Sequence, residues 1–320
     1  MLILLTFNSS FAKSLVSMYA FPAKVLKKLS VNSFIAYYDF ISNCVTNVFE
    51  KTYDIAIDFY GYGSFVTAFL ATKIQAKKKA TWLHDEKPYW MKSVQKYLCE
   101  YDKIYGVSQA VVDAFCREYP HYKDKAAVFY NVIDIEEIKR KSEQDEIIPF
   151  KESFNIVTVG RLTEQKGYDI AIKAASILKK RKINFAWYAI GGGRDEKKLK
   201  KLVEKYCLEN QFVFLGRKKN PYPYMKHCDL YVQPSRHEGY VITLVEARAL
   251  CLPILSSDIP SAREQIQDGI NGYVAELSAE DLADKIEYLY NNPSQRKKTV
   301  EYLKEHPIDF STELLKLEII

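Results

Sequence analysis

The stretch FNIVTVGRLTEQKGYDIAIKAASILKKRKINFAWYAIGGG (residues 154–193) decides the fold. It begins with an apolar run that contains several β-branched residues and ends in glycine, which predicts a buried strand and a turn. Residues 167–182 then carry apolar side chains at helical spacing, and residues 184–193 form a second apolar run followed by glycines. Strand, amphipathic helix and strand in this order predict a βαβ unit of a parallel sheet.

The same alternation extends outward from this unit in both directions. After it, we expect strands at 211–216, 229–235, 252–258 and 271–276, and helices at 195–209, 222–228, 239–251 and 259–266. Before it, we expect strands at 53–61, 77–86 and 125–134, a helix at 64–75, and a strand, turn and helix within 101–119, where Ser108 is the expected N-cap. The pattern predicts an α/β protein with two Rossmann-like domains facing a cleft.

The charged segment KSEQDEIIPFKE (residues 141–152) contains a proline and is the expected linker. We therefore predict an N-terminal domain at 1–145 and a C-terminal domain at 153–295. The remainder, 296–320, ends in the apolar stretch DFSTELLKLEII after Pro307. We expect that stretch to be a helix that crosses back to brace the first domain.

The composition fits a protein of the cytoplasm. The chain has 320 residues, 48% of them hydrophobic and 27% charged, which is ordinary for a soluble protein of two domains. Its six cysteines are scattered without a C-x-x-C pair, and its five histidines form no H-E-x-x-H pair, so we expect neither disulfides nor a metal site. The opening residues lack the basic start and the length of a signal peptide or a spanning helix.

The net charge of +6 suits an anionic ligand or a peripheral contact with an anionic membrane, although such a bias is usually solvated surface. Residues 21–30, FPAKVLKKLS, are either a short basic amphipathic segment that touches lipid or a plain surface helix. We expect no nucleic-acid partner.

Two cations follow the first strand of the C-terminal domain. Arg161 and Lys166 lie in GRLTEQKG, on one loop between a strand and a helix. Ligands of open parallel sheets bind at the carboxyl ends of strands, and two cations beside a helix start suit a diphosphate. The alternative is a solvated basic loop.

Glycines end the next two strands. The run IGGGRDE includes Gly192 and lets the backbone approach a ligand closely, but it does not fit the G-x-G-x-x-G pattern of nicotinamide sites, and a plain turn is its main rival. In FLGR, the backbone of Leu215 and Gly216 can contact a nucleotide base or can merely turn the chain.

The richest loop is QPSRHEGYVITLVE, which carries two carboxylates eight positions apart. On a continuous helix, Glu238 and Glu246 would share a face only loosely. If Glu238 and Gly239 instead lie in a loop and the helix begins nearer Val241, the N–H groups of Gly239, Tyr240 and Val241 point out between the two carboxylates. Those N–H groups can bind an anion, and each carboxylate can bind sugar hydroxyls. The alternatives are a first-turn glutamate favoured by the helix dipole and a loop carboxylate that caps amides.

The N-terminal half offers WLHDE, which places His84 and Asp85 at a strand end. His84 can hydrogen-bond a sugar or an acceptor while Asp85 orients it, although a lone histidine is more often structural. His237, next to Glu238, has the same ambiguity. Three aromatic residues can stack on an acceptor sugar or simply pack, namely Trp82, Tyr89 and Trp90.

These motifs together resemble glycosyltransferase family 4, the group 1 family of retaining enzymes with GT-B architecture. The resemblance covers residues 153–290 through VGRLTEQKG, FLG, LYVQPSRHEGYVITLVEARALCLPIL and DGINGYV. It is looser in the first half, through WLHDE, VSQAVVDAF and YNVIDIEEI. The two glutamates match the family's E-x7-E signature.

The resemblance implies a role for each matching residue. Glu246 would bind the nucleotide ribose, and Glu238 would contact the donor sugar near the reacting carbon. Arg161 and Lys166 would hold the diphosphate and stabilise the departing charge without a metal or other cofactor. The implied acceptor is a saccharide or a lipid-linked saccharide of cell-surface polysaccharide synthesis, as in similar bacterial members.

One departure from the family pattern concerns the first domain. The family usually opens with a strand and a glycine-rich loop, and nothing of that kind precedes residue 53. We therefore expect the N-terminal domain to be incomplete. Two other functions stay open: a nucleotide-sugar epimerase of the same architecture, for which only His84 and Asp85 offer an acid and a base, and a non-catalytic subunit that binds nucleotide sugar or a partner.

Overall fold

The computed structural model describes residues 2–4, 31–44, 51–60, 65–144 and 150–316. The chain forms two compact units, which we call the first and the second unit. The first unit comprises Met1–Tyr130 with Ser311–Ile320, and the second comprises Asn131–Phe310. The division falls ahead of the charged segment 141–152 in which the sequence placed a linker, and residues 21–30 lie outside the described part.

The first unit is built on five parallel strands in the order β1-β2-β3-β4-β5. Ser108 caps a helix as predicted, since its side chain accepts a hydrogen bond from Val111 N at 3.2 Å. The strands are β1 (Leu2–Leu4), β2 (Tyr53–Asp58), β3 (Ala76–Leu83), β4 (Lys103–Gly106) and β5 (Ala126–Val128). The helices are α1 (Val31–Cys44), α2 (Phe65–Lys73) and α3 (Gln109–Glu118), with 3₁₀ turns at Pro88–Ser93, Gln95–Glu100 and Pro120–Lys125.

The expectation that no strand precedes residue 53 is wrong. Leu2–Leu4 pairs in parallel with Ile55–Ile57 of β2 at one side of the sheet. Three apolar residues at a sheet edge are too few to produce a recognisable pattern. Residues 1–52 contain no glycine, and 5–30 lie outside the described residues.

The second unit is built on six parallel strands in the order β11-β10-β9-β6-β7-β8. The strands are β6 (Phe154–Val159), β7 (Phe185–Ile190), β8 (Phe212–Gly216), β9 (Leu230–Gln233), β10 (Ile254–Ser257) and β11 (Tyr273–Ala275). The helices are α4 (Ile135–Ser142), α5 (Tyr168–Lys180), α6 (Glu196–Lys205), α7 (Tyr222–Lys226), α8 (Ile242–Ala249), α9 (Pro260–Arg263), α10 (Ala279–Asn291) and α11 (Pro293–Glu305).

Both faces of this second sheet are covered, which explains why its strands read as continuous apolar runs. All six residues of β7 are buried. One core lies between the sheet, α5 and α10 and contains Ile156 and Trp187, whereas the other lies on the opposite face with α7 and α8 and contains Val157 and Tyr188. Trp187 Nε1 donates to Thr158 Oγ1 at 3.0 Å, so this fully buried ring also satisfies its polar atom.

The last described helix, α12 (Ser311–Leu315), belongs to the first unit. Glu313, which is 8% exposed, accepts a hydrogen bond from Tyr130 N at 3.0 Å. Lys316 donates to Glu313 at 2.7 Å and to Val128 O at 3.1 Å. Among the described residues, none of the helices has the length and hydropathy needed to cross a bilayer.

Candidate active site

The order of strands in the second unit places two loops side by side. β6 and β9 are neighbours, but β7 and β8 continue the sheet on one side and β10 and β11 on the other. The direction in which the sheet grows therefore reverses between β6 and β9. In open parallel sheets, a crevice forms at such a switch point, outside the carboxyl ends of the two strands. Residues 160–167 follow β6 there, and residues 234–241 follow β9.

These two loops are in direct backbone contact. Gly167 has a φ of 65°, and a Cβ at this position would lie 1.8 Å from Pro234 O, so only glycine fits. Arg236 N donates to Gln165 O at 2.8 Å. The Arg236 guanidinium also forms a bidentate pair with both carboxylate oxygens of Asp169 at 2.7 and 2.8 Å. This pair connects the loop after β9 to the first turn of α5.

A buried ion pair joins the two loops. Lys166 Nζ lies 2.6 Å from Glu238 Oε1, and their side chains are only 14% and 8% exposed. Ser235 Oγ donates to the same oxygen at 2.6 Å and in turn accepts from Gln233 Nε2 at 2.7 Å. Within the described residues, Glu238 Oε2 accepts no hydrogen bond. The carboxylate is thus held rigidly by one oxygen and keeps the other for a ligand.

The structure also decides between the two arrangements considered for the glutamates. Glu238 and Gly239 lie in a loop, Val241 is the N-cap residue, and α8 begins at Ile242. The continuous-helix alternative is therefore wrong. In the part of the chain that the structure describes, the N–H groups of Gly239 and Val241 donate no hydrogen bond. Backbone donors of this kind at a helix start are suited to bind an anion.

Glu246 lies in the second turn of α8 and is largely buried. Tyr222, at the start of α7, donates its hydroxyl to Glu246 Oε1 at 3.0 Å. Burial raises the pKa of the Glu246 carboxyl to about 6, although the hydrogen bond from Tyr222 works in the opposite direction. Oε2 accepts no hydrogen bond from the residues that the structure describes. A desolvated carboxylate with one unused oxygen is a strong acceptor for hydroxyl groups.

The remaining predicted residues of this unit lie along the same edge. Arg161 is exposed, and among the described residues its side chain forms neither an ion pair nor a hydrogen bond. The turn after β7 packs against the backbone of the preceding residue, Gly160: Gly191 has a φ of 150°, and a Cβ there would lie 1.8 Å from Gly160 O. Leu215 and Gly216 end β8, where Gly216 has a φ of 70°.

The predicted residues of the N-terminal half lie in the first unit. His84 directly follows β3, and its Nε2 lies 2.6 Å from Phe59 O. Since a carbonyl only accepts, Nε2 carries the proton and Nδ1 is the acceptor of the neutral ring. Burial lowers the pKa of His84. Asp85 accepts from Lys87 N at 3.1 Å.

Trp82 is 2% exposed and packs on Tyr105 and Phe129, so the alternative of ordinary packing is confirmed for it. The side chains of Tyr89 and Trp90 lie outside what the structure describes.

Sequence reasoning missed three residues that support the two glutamates, namely Ser235, Gln233 and Tyr222. Ser235 and Gln233 stand in the quoted loop, where small polar side chains next to a buried carboxylate are the available signal. Tyr222 is 24 positions away from Glu246, and the helical pattern around it gave no sign of the contact.

Three comparisons place the chain among known proteins. The sequence profile described as "Glycosyl transferases group 1" matches residues 139–306. An uncharacterized glycosyltransferase of Methanocaldococcus jannaschii, MJ1059, is 33% identical over 172 residues, which is 52% of this chain and 40% of that protein. A Campylobacter jejuni N-acetylgalactosamine-N,N'-diacetylbacillosaminyl-diphospho-undecaprenol 4-alpha-N-acetylgalactosaminyltransferase is 30% identical over 184 residues, 54% of this chain and 49% of its own length.

Thus the chain spans about half of the length of these relatives or less. Among solved structures, Anabaena Alr3699/HepE in complex with UDP and glucose superimposes with a TM-score of 0.70 at 18% identity, and covers 92% of this chain and 82% of that one. This likeness confirms the fold, two Rossmann-like units of the GT-B type. The profile match extends over more than half of the chain and includes both loops of the switch point, and on that ground the chain belongs to the group 1 glycosyltransferase family.

Proposed function

We propose that the protein is a retaining glycosyltransferase that moves a sugar from a nucleotide-diphosphate sugar to a saccharide or lipid-linked acceptor. One observation carries the proposal. At the switch point of the second unit, a buried Lys166–Glu238 pair is followed by the start of α8, and the desolvated Glu246 lies in the second turn of that helix. Such a set of groups fits a ligand that carries an anionic diphosphate between two sugars.

Each group of the crevice suits one part of that donor. Glu246 accepts the two ribose hydroxyls, because its carboxylate is desolvated and has an unused oxygen. The N–H groups at Gly239 and Val241 and the exposed guanidinium of Arg161 bind the diphosphate. Glu238 accepts a hydroxyl of the transferred sugar with Oε2, while Lys166 and Ser235 fix its other oxygen.

The reaction needs no protein nucleophile in this proposal. The bond between the anomeric carbon and the diphosphate oxygen breaks, and its electron pair leaves with the nucleoside diphosphate. The acceptor oxygen then bonds the same carbon on the same face, and its proton passes to a phosphate oxygen of the leaving group. Arg161, Lys166 and the helix N–H groups stabilise the departing charge, which is the work that a metal ion performs elsewhere.

Two further observations bear on the acceptor and on the cellular site. The Campylobacter relative is named for an undecaprenol-diphosphate-linked substrate, which favours a lipid-linked saccharide in the assembly of a cell-surface polysaccharide. The net charge of +6 is compatible with a peripheral contact at the cytoplasmic face of an anionic membrane. Oxygen-rich saccharide acceptors would be bound partly through His84 of the first unit.

Calorimetric binding to the purified protein tests the donor site. UDP, GDP, ADP and their glucose conjugates are titrated without added metal and again with EDTA. We expect saturable binding of one base in both conditions, and its loss in Arg161→Ala. If wild-type protein binds no member of the panel, the donor site is absent and the non-catalytic partner becomes the better description.

Product analysis of the donor that binds separates the enzymatic alternatives. A transferase releases free nucleoside diphosphate, either by sugar transfer or by slow hydrolysis of the donor. An epimerase instead returns an isomeric nucleotide sugar with the nucleotide still attached. We expect release of nucleoside diphosphate with retained anomeric configuration. Glu238→Gln should lower this turnover more than it lowers donor affinity, because Glu238 touches the transferred sugar. An inverted product would overturn the retaining mechanism.

A further inference from the structure

Arg217 follows β8 at the same edge of the second unit's sheet. The chain turns at Gly216, and the side chain of Arg217 then lies along the backbone of Gly192. A Cβ placed on Gly192 would stand 2.8 Å from Arg217 Nε and 3.1 Å from its Cγ. Because Gly192 has no side chain, the aliphatic part of the Arg217 side chain can pack directly against the backbone of the turn after β7.

The same glycine turn touches the loop that carries Arg161. Leu162 N donates to Gly192 O at 3.2 Å, and a Cβ on Gly193 would lie 2.3 Å from Leu162 O. The backbones on either side of Arg161 are therefore in contact with residues 191–193. Arg161 and Arg217 start from opposite sides of one turn, at the carboxyl edge where ligands of parallel sheets bind.

Neither guanidinium is neutralised by the protein. Both arginines are exposed, and within the described ranges neither forms an ion pair or a hydrogen bond through its side chain. Two other arginines of this unit, in contrast, are paired with carboxylates: Arg236 forms a bidentate pair with Asp169, and Arg263 forms one with Asp258. Two exposed cations on either side of one turn, neither of them in an ion pair among the described residues, favour the binding of an anion there.

We propose that Arg217 is a further cation of the donor site and that it contacts the diphosphate together with Arg161. This inference rests on the proposed function, since the diphosphate belongs to the nucleotide sugar. Gly192 is required because it allows the Arg217 stem to lie flat. The next residue, Lys218, is directed elsewhere, because its Nζ lies 5.1 Å from the centre of the Tyr224 ring.

Calorimetry with UDP, GDP and ADP, each beside its monophosphate, tests the inference in five proteins, namely wild type, Arg161→Ala and three further variants. Arg217→Gln should bind the accepted diphosphate about tenfold or more weakly, as expected for one charge-assisted contact, and should lose less affinity for the monophosphate. Gly192→Ala keeps every charge but displaces the Arg217 stem, and its loss should be intermediate. Lys219→Gln removes an exposed charge two residues along the same loop and should bind within about twofold of wild type.

The outcomes separate this inference from the proposed function. If wild-type protein binds none of the diphosphates, the proposed function fails and this inference fails with it. If Arg161→Ala abolishes binding while Arg217→Gln binds like wild type, the donor site stands and Arg217 has no part in it. Equal losses for diphosphate and monophosphate would also overturn the inference, because Arg217 would then contact only what the two ligands share and not the second phosphate.

Discussion

The carboxyl edges of the two parallel sheets carry different chemistry. In the second unit, Lys166, Glu238 and Glu246 are charged or readily charged groups that retain atoms for a ligand. In the first unit, a carboxylate at a strand end has a structural role instead. Asp58 is fully buried at the end of β2 and accepts hydrogen bonds from Thr67 and Thr81 at 2.7 and 3.1 Å. His84 beside it is held by Phe59 O, and burial lowers the pKa of its ring.

The difference fits the proposed function, in which the second unit binds the donor and the first unit binds the acceptor. One edge offers cations, amides and carboxylates, which suit a charged donor. The other offers a neutral imidazole and two exposed aromatic residues, Phe59 at 42% and Tyr60 at 69%, which suit an uncharged sugar. Parallel sheets thus supply the same position twice, and the side chains at the strand ends decide what binds there.

The largest expected effect comes from breaking the buried pair of the second unit. Lys166→Met leaves Glu238 buried at 8% exposure without its cation, and an uncompensated buried charge destabilises a fold by about 3–5 kcal/mol. The urea-unfolding transition of the second unit should show this loss of stability. Donor binding should fall as well, since the loop after β9 loses one of its ties to the loop after β6, the one that holds Glu238.

The control is the double variant Lys166→Met with Glu238→Gln. Removing both charges leaves no ion unpaired, so most of the lost stability should return while turnover stays low. A double variant as unstable as Lys166→Met would show that the lysine stem, and not the ion pair, holds the two loops together.

The second prediction concerns Glu246, whose carboxylate we propose to bind the ligand and not to stabilise the fold. Glu246→Ala should weaken nucleotide-sugar binding by about 1.5–3 kcal/mol, the loss of a charge-assisted hydrogen bond. It should also slightly stabilise the unliganded protein or leave its stability unchanged, since a desolvated carboxylate is removed. Calorimetry and urea unfolding of the same sample measure both. Unchanged affinity would remove Glu246 from the donor site.

The residue pattern explains why the positions of the proposed donor-site residues were predictable. Arg161, Lys166 and Glu238 stand in loops after strands, Glu246 stands in the early turns of the helix that follows, and the fold brings such places to one edge. What could not be read is how each group is held. The Lys166–Glu238 contact joins residues 72 positions apart, and the hydrogen bond between Tyr222 and Glu246 depends on the packing of two helices.

The fold was predictable to a similar extent for a physical reason. Long buried strands such as β6 and β7 have unmistakable apolar runs, whereas β1 has three residues and left no pattern. Helix α10 was not anticipated, although Ser278 caps it through a hydrogen bond from Asp281 N at 3.1 Å. It follows the last strand, beyond the βαβ alternation on which the prediction relied.

The third prediction concerns pH. The pKa of Glu246 is about 6, so acidification through pH 6 converts its carboxylate to the neutral acid. Nucleotide-sugar affinity should therefore be constant above about pH 7 and fall below pH 6, by at most about tenfold per pH unit. A nucleotide sugar is the right ligand, because its phosphates lack the second ionisation near 6 that a terminal phosphate has. Calorimetry between pH 5 and 8, in the range where the fold is intact, measures the midpoint.

Two variants sharpen this test. Glu246→Gln should have weak, pH-independent binding over the same range. Tyr222→Phe removes a hydrogen bond that lowers the pKa of Glu246, so its midpoint should move to higher pH, with an affinity loss at pH 8 of about 1 kcal/mol. Acid unfolding does not explain the loss: a folded-state pKa above the ordinary value of 4.5 means that Glu246 adds stability as pH falls from about 6 to 4.5.

The smallest effect on donor affinity is expected from the first unit. His84→Ala removes the neutral ring at the end of β3. In the proposed function this ring contacts no charged part of the donor, so nucleotide-sugar affinity should stay within about twofold of wild type. Turnover should nevertheless fall, by about tenfold, because the proposed function assigns this ring to the binding of the acceptor. His84→Gln, whose amide both donates and accepts, should recover part of that turnover. A loss of donor affinity in His84→Ala as large as that in Glu246→Ala would end the division between a donor edge and an acceptor edge, because the neutral ring would then be part of the donor site.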